Sequence, residues 1–497
     1  MRLKDTVVTA GGLILQQISS FLVGIFIARS IGASDYGALT IGRNITTILL
    51  TIAPIGLDLF LLKHLPSIEG DFSAMRQRFL TWRLIVYFFS FGVVAVCAVI
   101  AIPLEESVYK YPGFSLYFIV TVLSLPFSAD IAILGAYYRT FGKVGTFSLF
   151  TSYFQTIVRS ACNLIAIGVG FSTLGVAAGT TLAAFIGAVS ISTHLACWSD
   201  AKRGARIGAS FQVLQLKRAV GVLRESAWMA MNLFVYGLTR SVDVVLLGLF
   251  ATAKEVGSYG ALTLIAAVVG IFPGALSQTL GPTISRLSIE KNWRGVNDAL
   301  SEYIRRASII AAFFFGGIAV FGPKLGLLLG KSFVFDPLIC VMLPLGYLIS
   351  ATLAPAGYAL SMTGKHRQEL VVLMAGGGVL VGLIVVFGAR FGALGVAGAV
   401  VLAYASINVV RFYLVYRHIG YVPGSLWDVT PPIWAILAAQ LSEVTIEHFV
   451  ENDYISTVVA CMVYFILYGV VMVSFHFNGT ERRTIMGHLP FGGRSRC

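Results

Sequence analysis

Apolar runs of 19 to 26 residues succeed one another from end to end of the chain, separated by short polar stretches. Each is long enough to carry a helix across the ~30 Å hydrocarbon core of a bilayer. The runs are 7–28, 39–62, 79–103, 114–138, 146–170, 173–198, 226–250, 258–283, 307–330, 337–362, 369–389, 392–417, 431–449 and 454–477. They predict an all-α, polytopic membrane protein of about 14 transmembrane helices. The first run follows Arg2 and Lys4, as a signal peptide would. It is too long for one, contains Gln16 and Gln17, and has no small-residue cleavage site, so it reads as a retained helix.

The loops alternate in charge. The N-terminus, the loops after even-numbered helices and the C-terminal tail carry 27 of the 36 Lys and Arg residues. The loops after odd-numbered helices carry Arg29, Lys110, Lys254, Lys324, Lys331 and Arg390. Basic residues gather on the cytoplasmic side, so the alternation predicts a multi-pass protein of the cell membrane with both termini cytoplasmic. The longest loop, 199–225, is basic; Val213, Leu216, Val220 and Leu223 give it an apolar face suited to an amphipathic helix on the inner leaflet.

That loop separates two similar halves. Tyr36-Gly37-Ala38-Leu39-Thr40 returns as Tyr259-Gly260-Ala261-Leu262-Thr263, 223 positions later. Phe141-Gly142-Lys143 parallels Thr363-Gly364-Lys365, and Leu174-Gly175-Val176-Ala177 parallels Leu394-Gly395-Val396-Ala397. The expected organisation is therefore an N-terminal six-helix lobe (1–198), the cytoplasmic linker (199–225), a C-terminal six-helix lobe (226–417), and two further helices with a tail (418–497). Six helices return the chain to its starting side, so the two six-helix repeats run parallel, about an axis along the membrane normal. Pro54, Pro126, Pro273, Pro344 and Pro355 fall inside the predicted spans and mark expected kinks.

Composition agrees with the pattern: 57% of residues are hydrophobic and 12% charged, about half the charged share of a soluble domain. The net charge of +13 sits in loops flanking the spans, which favours membrane orientation over nucleic-acid binding. The six cysteines have no metal or disulfide spacing, and the seven histidines are scattered. No Walker-type loop or dinucleotide fingerprint is present, and the outward loops are too short to hold an enzyme's donor site. The expectation is a protein that is not an enzyme, with no cofactor and no metal.

Ionisable residues inside the spans are the candidates for function, because they are costly there unless they face a polar path or a partner. Arg159 and Arg240 lie near the middle of helices five and seven, Arg43 and Asn44 one turn inside the outer end of helix two, and Arg29 at the outer end of helix one. Guanidinium groups bind phosphate oxygens two at a time, so these positions suit a phosphate-bearing substrate. Asp58, Asp130 and Asp243 are candidates for ion coupling. The competing reading is internal neutralisation, with Asp243 pairing Arg240 and Asp130 pairing Arg159.

Gln17, Phe21, Gly24, Ile27-Ala28-Arg29, Gly32 and Asp35-Tyr36-Gly37, with Gly56, Lys63 and the Gly142-Lys143 turn, resemble the polysaccharide-transport flippases. These, with the O-antigen flippases as their familiar members, form part of the multidrug/oligosaccharidyl-lipid/polysaccharide exporter superfamily. The resemblance implies a flippase that moves an oligosaccharide linked to a polyprenyl or dolichyl phosphate or pyrophosphate from the cytoplasmic to the outer leaflet by alternating access. It implies a cationic cavity, placed here on Arg43, Arg159 and Arg240. Membrane lipids and glycan-assembly enzymes are the further partners it suggests, and nucleic acid is not one. The alternative is a cation-coupled multidrug exporter of the same fold, which would be expected to place acids rather than arginines in its cleft.

Overall fold

In the computed structural model the described residues are 3–64, 72–170, 173–201, 216–353, 355–420, 430–448 and 453–476. They are 91% helical and contain no strand. The α-helices are α1 Leu3–Ile52, α2 Leu57–His64, α3 Phe72–Pro103, α4 Phe114–Val122, α5 Leu125–Thr140, α6 Val144–Ser148, α7 Gln155–Gly168, α8 Thr173–Ala201 and α9 Leu216–Leu247. They continue as α10 Ala253–Ala266, α11 Ile271–Ile289, α12 Trp293–Leu329, α13 Pro337–Leu353, α14 Pro355–Leu360, α15 His366–Ile419, α16 Pro431–Glu447 and α17 Asp453–Phe475. Of the predicted linker helix, residues 202–215 lie outside the described residues; the chain is helical from Leu216.

Eight stretches of described residues are apolar and long enough to cross a membrane. Two of these, Gly11–Leu62 and Pro337–Ile419, are 52 and 83 residues long, so each holds more than one crossing. A glycine interrupts the long helix in each. Gly32 (φ 80°, ψ 170°) breaks α1, and Gly392 (φ 56°, ψ −135°) breaks α15. Both lie in regions of backbone space that a Cβ penalises. Large apolar side chains cover the outer faces, Phe88 being 86% exposed, as expected where lipid replaces water.

The prolines act chiefly as starts. Pro126 is in the first turn of α5 and Pro355 is the first residue of α14. Pro273 lies in the first turn of α11, after a short 3₁₀ stretch, and Pro54 sits in the turn between α1 and α2. At Pro126 and Pro273 a first-turn proline forfeits an N–H that has no intrahelical partner anyway, so these positions cost little. Pro344 alone of the five sits well inside a helix, α13.

By packing, the chain forms two compact units. The first comprises Met1–Leu264, Leu328–Val334 and Leu370–Ala403; the second comprises Ile265–Leu327, Phe335–Glu369 and Tyr404–Cys497. In the first, α2, α3, α5 and α8 close on a core of Leu57, Phe79, Leu125, Tyr137 and Ile191. Helices α1 and α10 cross there at glycines. A Cβ on Gly37 would fall 2.1 Å from Ala253 O, one on Gly257 1.8 Å from Ala33 O, and one on Gly260 2.9 Å from Thr40 Cγ2. Backbone can approach backbone this closely only because the side chains are absent.

In the second unit, α11, α12, α14 and the end of α15 share a core of Ile284, Leu300, Tyr303 and Val415. Tyr303 Oη lies 2.9 Å from Pro273 O and 3.2 Å from Ala351 O, and donates its proton between them. The N–H that would normally serve Ala351 O belongs to residue 355, which is proline, so the tyrosine satisfies a carbonyl the helix leaves over. Helices α16 and α17 pack on α12, where Tyr464 and Tyr468 donate to Phe313 O and Ile309 O at 2.6 and 2.7 Å.

Candidate functional site

Arg159 stands on α7 and is half-buried. Its Nη2 donates to Ser20 Oγ on α1 at 2.9 Å, beside a Ser19–Ser160 hydroxyl pair at 2.7 Å. Arg43, also on α1, is exposed and close enough for its charge to act on Arg159. Among the described residues no carboxylate forms an ion pair with either. Two cations that repel one another without an acid beside them make a setting in which an anion is favoured. Asn44, next to Arg43, turns its amide to Thr40 O of its own helix (2.8 Å). Arg29 is exposed.

Arg240 is exposed on α9, with its guanidinium over the Tyr236 ring at 5.7 Å and Nη1 3.3 Å from Tyr236 Oη. Asp243, three residues later, is 6% exposed. Its Oδ2 accepts from Tyr259 Oη at 3.1 Å, and its Oδ1 is buried with no hydrogen-bond partner. Asp58, in the first turn of α2, likewise has a buried Oδ1 without a partner.

Asp130 is fully buried on α5 and does not rely on Arg159. Arg83 of α3 holds it through Nε–Oδ1 at 2.5 Å and Nη2–Oδ2 at 2.6 Å, and Nη2 also reaches Ser192 Oγ of α8. The structure thus sets Arg43 within electrostatic reach of Arg159, and gives Asp130 a partner that depth along the helices did not suggest.

Two ionic clusters escaped the sequence reading. Arg83 is one. In the second unit, Arg411 and Glu369 form a buried ion pair, with Nε–Oε2 at 3.2 Å and Asn408 Oδ1 3.5 Å from Arg411 Nη1. Gly357 makes room for it, since a Cβ there would meet Glu369 Oε1 at 2.8 Å. Gly135, 222 positions earlier, makes the matching room for Phe147, which is likewise 222 positions before Glu369. The two niches share this spacing, but one holds a ring and the other an ion pair. The available signal was that Arg83 and Arg411 fall inside apolar runs rather than beyond their ends. Among the described residues no group of three or more His, Cys, Asp or Glu is placed to hold a metal ion.

The sequence profile of the polysaccharide biosynthesis protein family matches residues 2–288. The chain is 25% identical over 170 residues to the "Probable low-salt glycan biosynthesis flippase Agl15" of Haloferax volcanii, an alignment covering 33% of this chain and 35% of that relative. The match thus spans about a third of the relative's length. Among solved structures it resembles "Lipid II flippase MurJ, inward closed conformation", with a TM-score of 0.67, 14% identity, and coverage of 94% of this chain and 99% of the other. It also resembles an inward-facing multidrug resistance MATE family transporter of the MOP superfamily, with a TM-score of 0.61, 15% identity, and coverage of 84% and 98%. At such identities the likeness is one of fold.

Proposed function

The chain belongs to the polysaccharide biosynthesis protein family, and from that premise we propose that it is a flippase for a lipid-linked oligosaccharide. It carries a glycan attached to a polyprenyl or dolichyl phosphate or pyrophosphate from the cytoplasmic to the outer leaflet by alternating access. The observation that carries this reading is the Arg43–Arg159 pair, two cations within a membrane-spanning unit and without a described carboxylate partner. A glycan phosphate brought into hydrocarbon would lose several kcal/mol for each unsatisfied polar group. Guanidinium donors replace the lost water, and the lipid tail never has to leave the membrane. Arg240, set on its tyrosine, adds a further positive charge, with Arg29 and Asn44 toward the outer end. No bond is made or broken, so the protein works as a transporter.

Of the acids, Asp243 best suits ion coupling, because it keeps a buried oxygen with no hydrogen-bond partner, whereas Asp130 is committed to Arg83. Asp58 has the same feature nearer the inner end. The two repeats, 1–198 and 226–417, act as the lobes of the transporter, with both termini and the 199–225 linker in the cytoplasm of a cell-membrane protein. The name of the Haloferax volcanii relative, a glycan biosynthesis flippase, supports the substrate class.

The test is a strain lacking the protein. Loss of a surface glycan, with its lipid-linked precursor accumulating on the inner leaflet, is the expected result. Normal glycan together with new drug sensitivity would overturn the reading in favour of a multidrug exporter.

A further inference from the structure

A break in a helix leaves the segment after it with N–H groups that have no carbonyl one turn back. Gly32 makes such a break, and helix resumes at Ala33. The Ala33 N–H donates to Ser332 Oγ at 3.3 Å, a residue 299 positions away. Ser332 therefore does from a distance what a capping side chain ordinarily does for its own helix.

Ser332 lies in the segment 330–336 between α12 and α13, which has turns but no helix or strand of its own. Its attachments are few and specific. Val334 N donates to Ser258 Oγ on α10 at 3.3 Å, and Phe333, 4% exposed, sets its ring edge-on to Tyr36 at 6.0 Å. Asp35, in the same turn as Ala33, accepts from Thr173 Oγ1 at the start of α8 at 3.1 Å. All these residues belong to the first unit, which includes Leu328–Val334, although the chain on both sides of that stretch belongs to the second. Asp336 at the far end of the stretch caps α13, while Ser332–Val334 meet α1 and α10 through two side-chain-to-backbone hydrogen bonds and one ring contact, a set that a conformational change can break and remake.

We propose that residues 330–336 are an outer latch, with Ser332 and Phe333 fastening the start of the helix at Ala33–Tyr36 and releasing it in each transport cycle. The latch rests on the transport reading above. The aromatic contact gives it hold, and the trans cap gives it register, because Ser332 reaches an N–H that exists only where Gly32 stops the preceding helix.

The test couples two measurements on the full-length chain. In Ala33→Cys/Ser332→Cys, oxidation is expected to stop transfer of lipid-linked glycan in vesicles, and reductant to restore it. Transfer by the oxidised, cross-linked protein at the reduced rate would overturn the latch. Hydrogen exchange supplies the second arm, independent of substrate. In Phe333→Ala, amides 33–36 and 332–334 should exchange at least tenfold faster while those of α5 do not change. Unaltered exchange at 33–36 would equally overturn it. If exchange accelerates as expected but neither redox state moves any glycan, the substrate assignment fails and the latch stands.

Discussion

Arg83 grips Asp130 with two parallel hydrogen bonds, and both oxygens of the fully buried carboxylate are used in doing so. This is the geometry in which a guanidinium binds a carboxylate most strongly. Removing one member leaves the other as an uncompensated charge among apolar helices, at a cost of about 3–5 kcal/mol. Arg83→Ala and Asp130→Leu should each lower the melting temperature in detergent sharply and reduce the amount of protein in the membrane. The double variant Arg83→Met/Asp130→Leu should recover much of the loss. A double variant no more stable than the singles would show that the pair is not the origin of the effect.

Arg43 and Arg159 should behave differently, because neither has an acid to leave stranded. Arg43→Ala and Arg159→Ala are expected to accumulate normally yet lower surface glycan at least tenfold per molecule of transporter. Arg240→Lys, which keeps charge but loses the planar fork, should retain partial transport, and Arg240→Ala little. Surface glycan normalised to membrane protein is the measurement. Unchanged export in all three alanine variants would remove the cationic site.

Asp243 bears on energy coupling. Asp243→Asn should abolish the response of transport to an imposed sodium or proton gradient in proteoliposomes. Tyr259→Phe, which removes only the donor to Oδ2, should weaken transport while keeping the response. If Asp243→Asn still responds fully, this carboxylate is not the coupling group.

The tyrosine shared by the start of α11 and the end of α13 makes a prediction about stability alone. Tyr303→Phe keeps the ring and takes the donor from Pro273 O and Ala351 O. An unserved buried carbonyl costs about 1–3 kcal/mol. A lower melting temperature is expected, with loosened exchange confined to the neighbourhood of α13 and α14; an unchanged melting temperature would show that water or another donor takes its place.

Orientation can be settled by labelling. Cysteine at Ser107 should react with an impermeant reagent from outside, and cysteine at Ser210 should not. Efficient outside reaction at 210 would reverse the assigned topology.

Much of the fold could be read from run lengths, since a helix surrounded by lipid must be apolar for about 20 residues. Run lengths do not distinguish a loop from a kink. Residues 29–38 read as a connection, yet helix resumes at Ala33 after a single glycine. The site was legible in part. Arg43 and Arg159 stood out because they are isolated in apolar sequence. Arg83 and Arg411 did not, because basic residues near the inner ends of spans are naturally counted with the cytoplasmic loops. Their partners lie 47 and 42 positions away, beyond any local spacing rule. Asp130 was assigned a neighbour by depth alone, and depth gives no direction around a helix.

The crossing of α1 and α10 has a consequence for how the sequence changes with time. The glycine of each Tyr-Gly-Ala-Leu-Thr copy faces the helix that carries the other copy: Gly37 against Ala253 and Gly257, Gly260 against Thr40. At Gly37 and Gly257 even a single methyl would collide with backbone, which cannot turn aside as a side chain can. A side chain gained on either helix at these positions is therefore tested at once against the other. At this crossing each helix is the template for what may not change in the other.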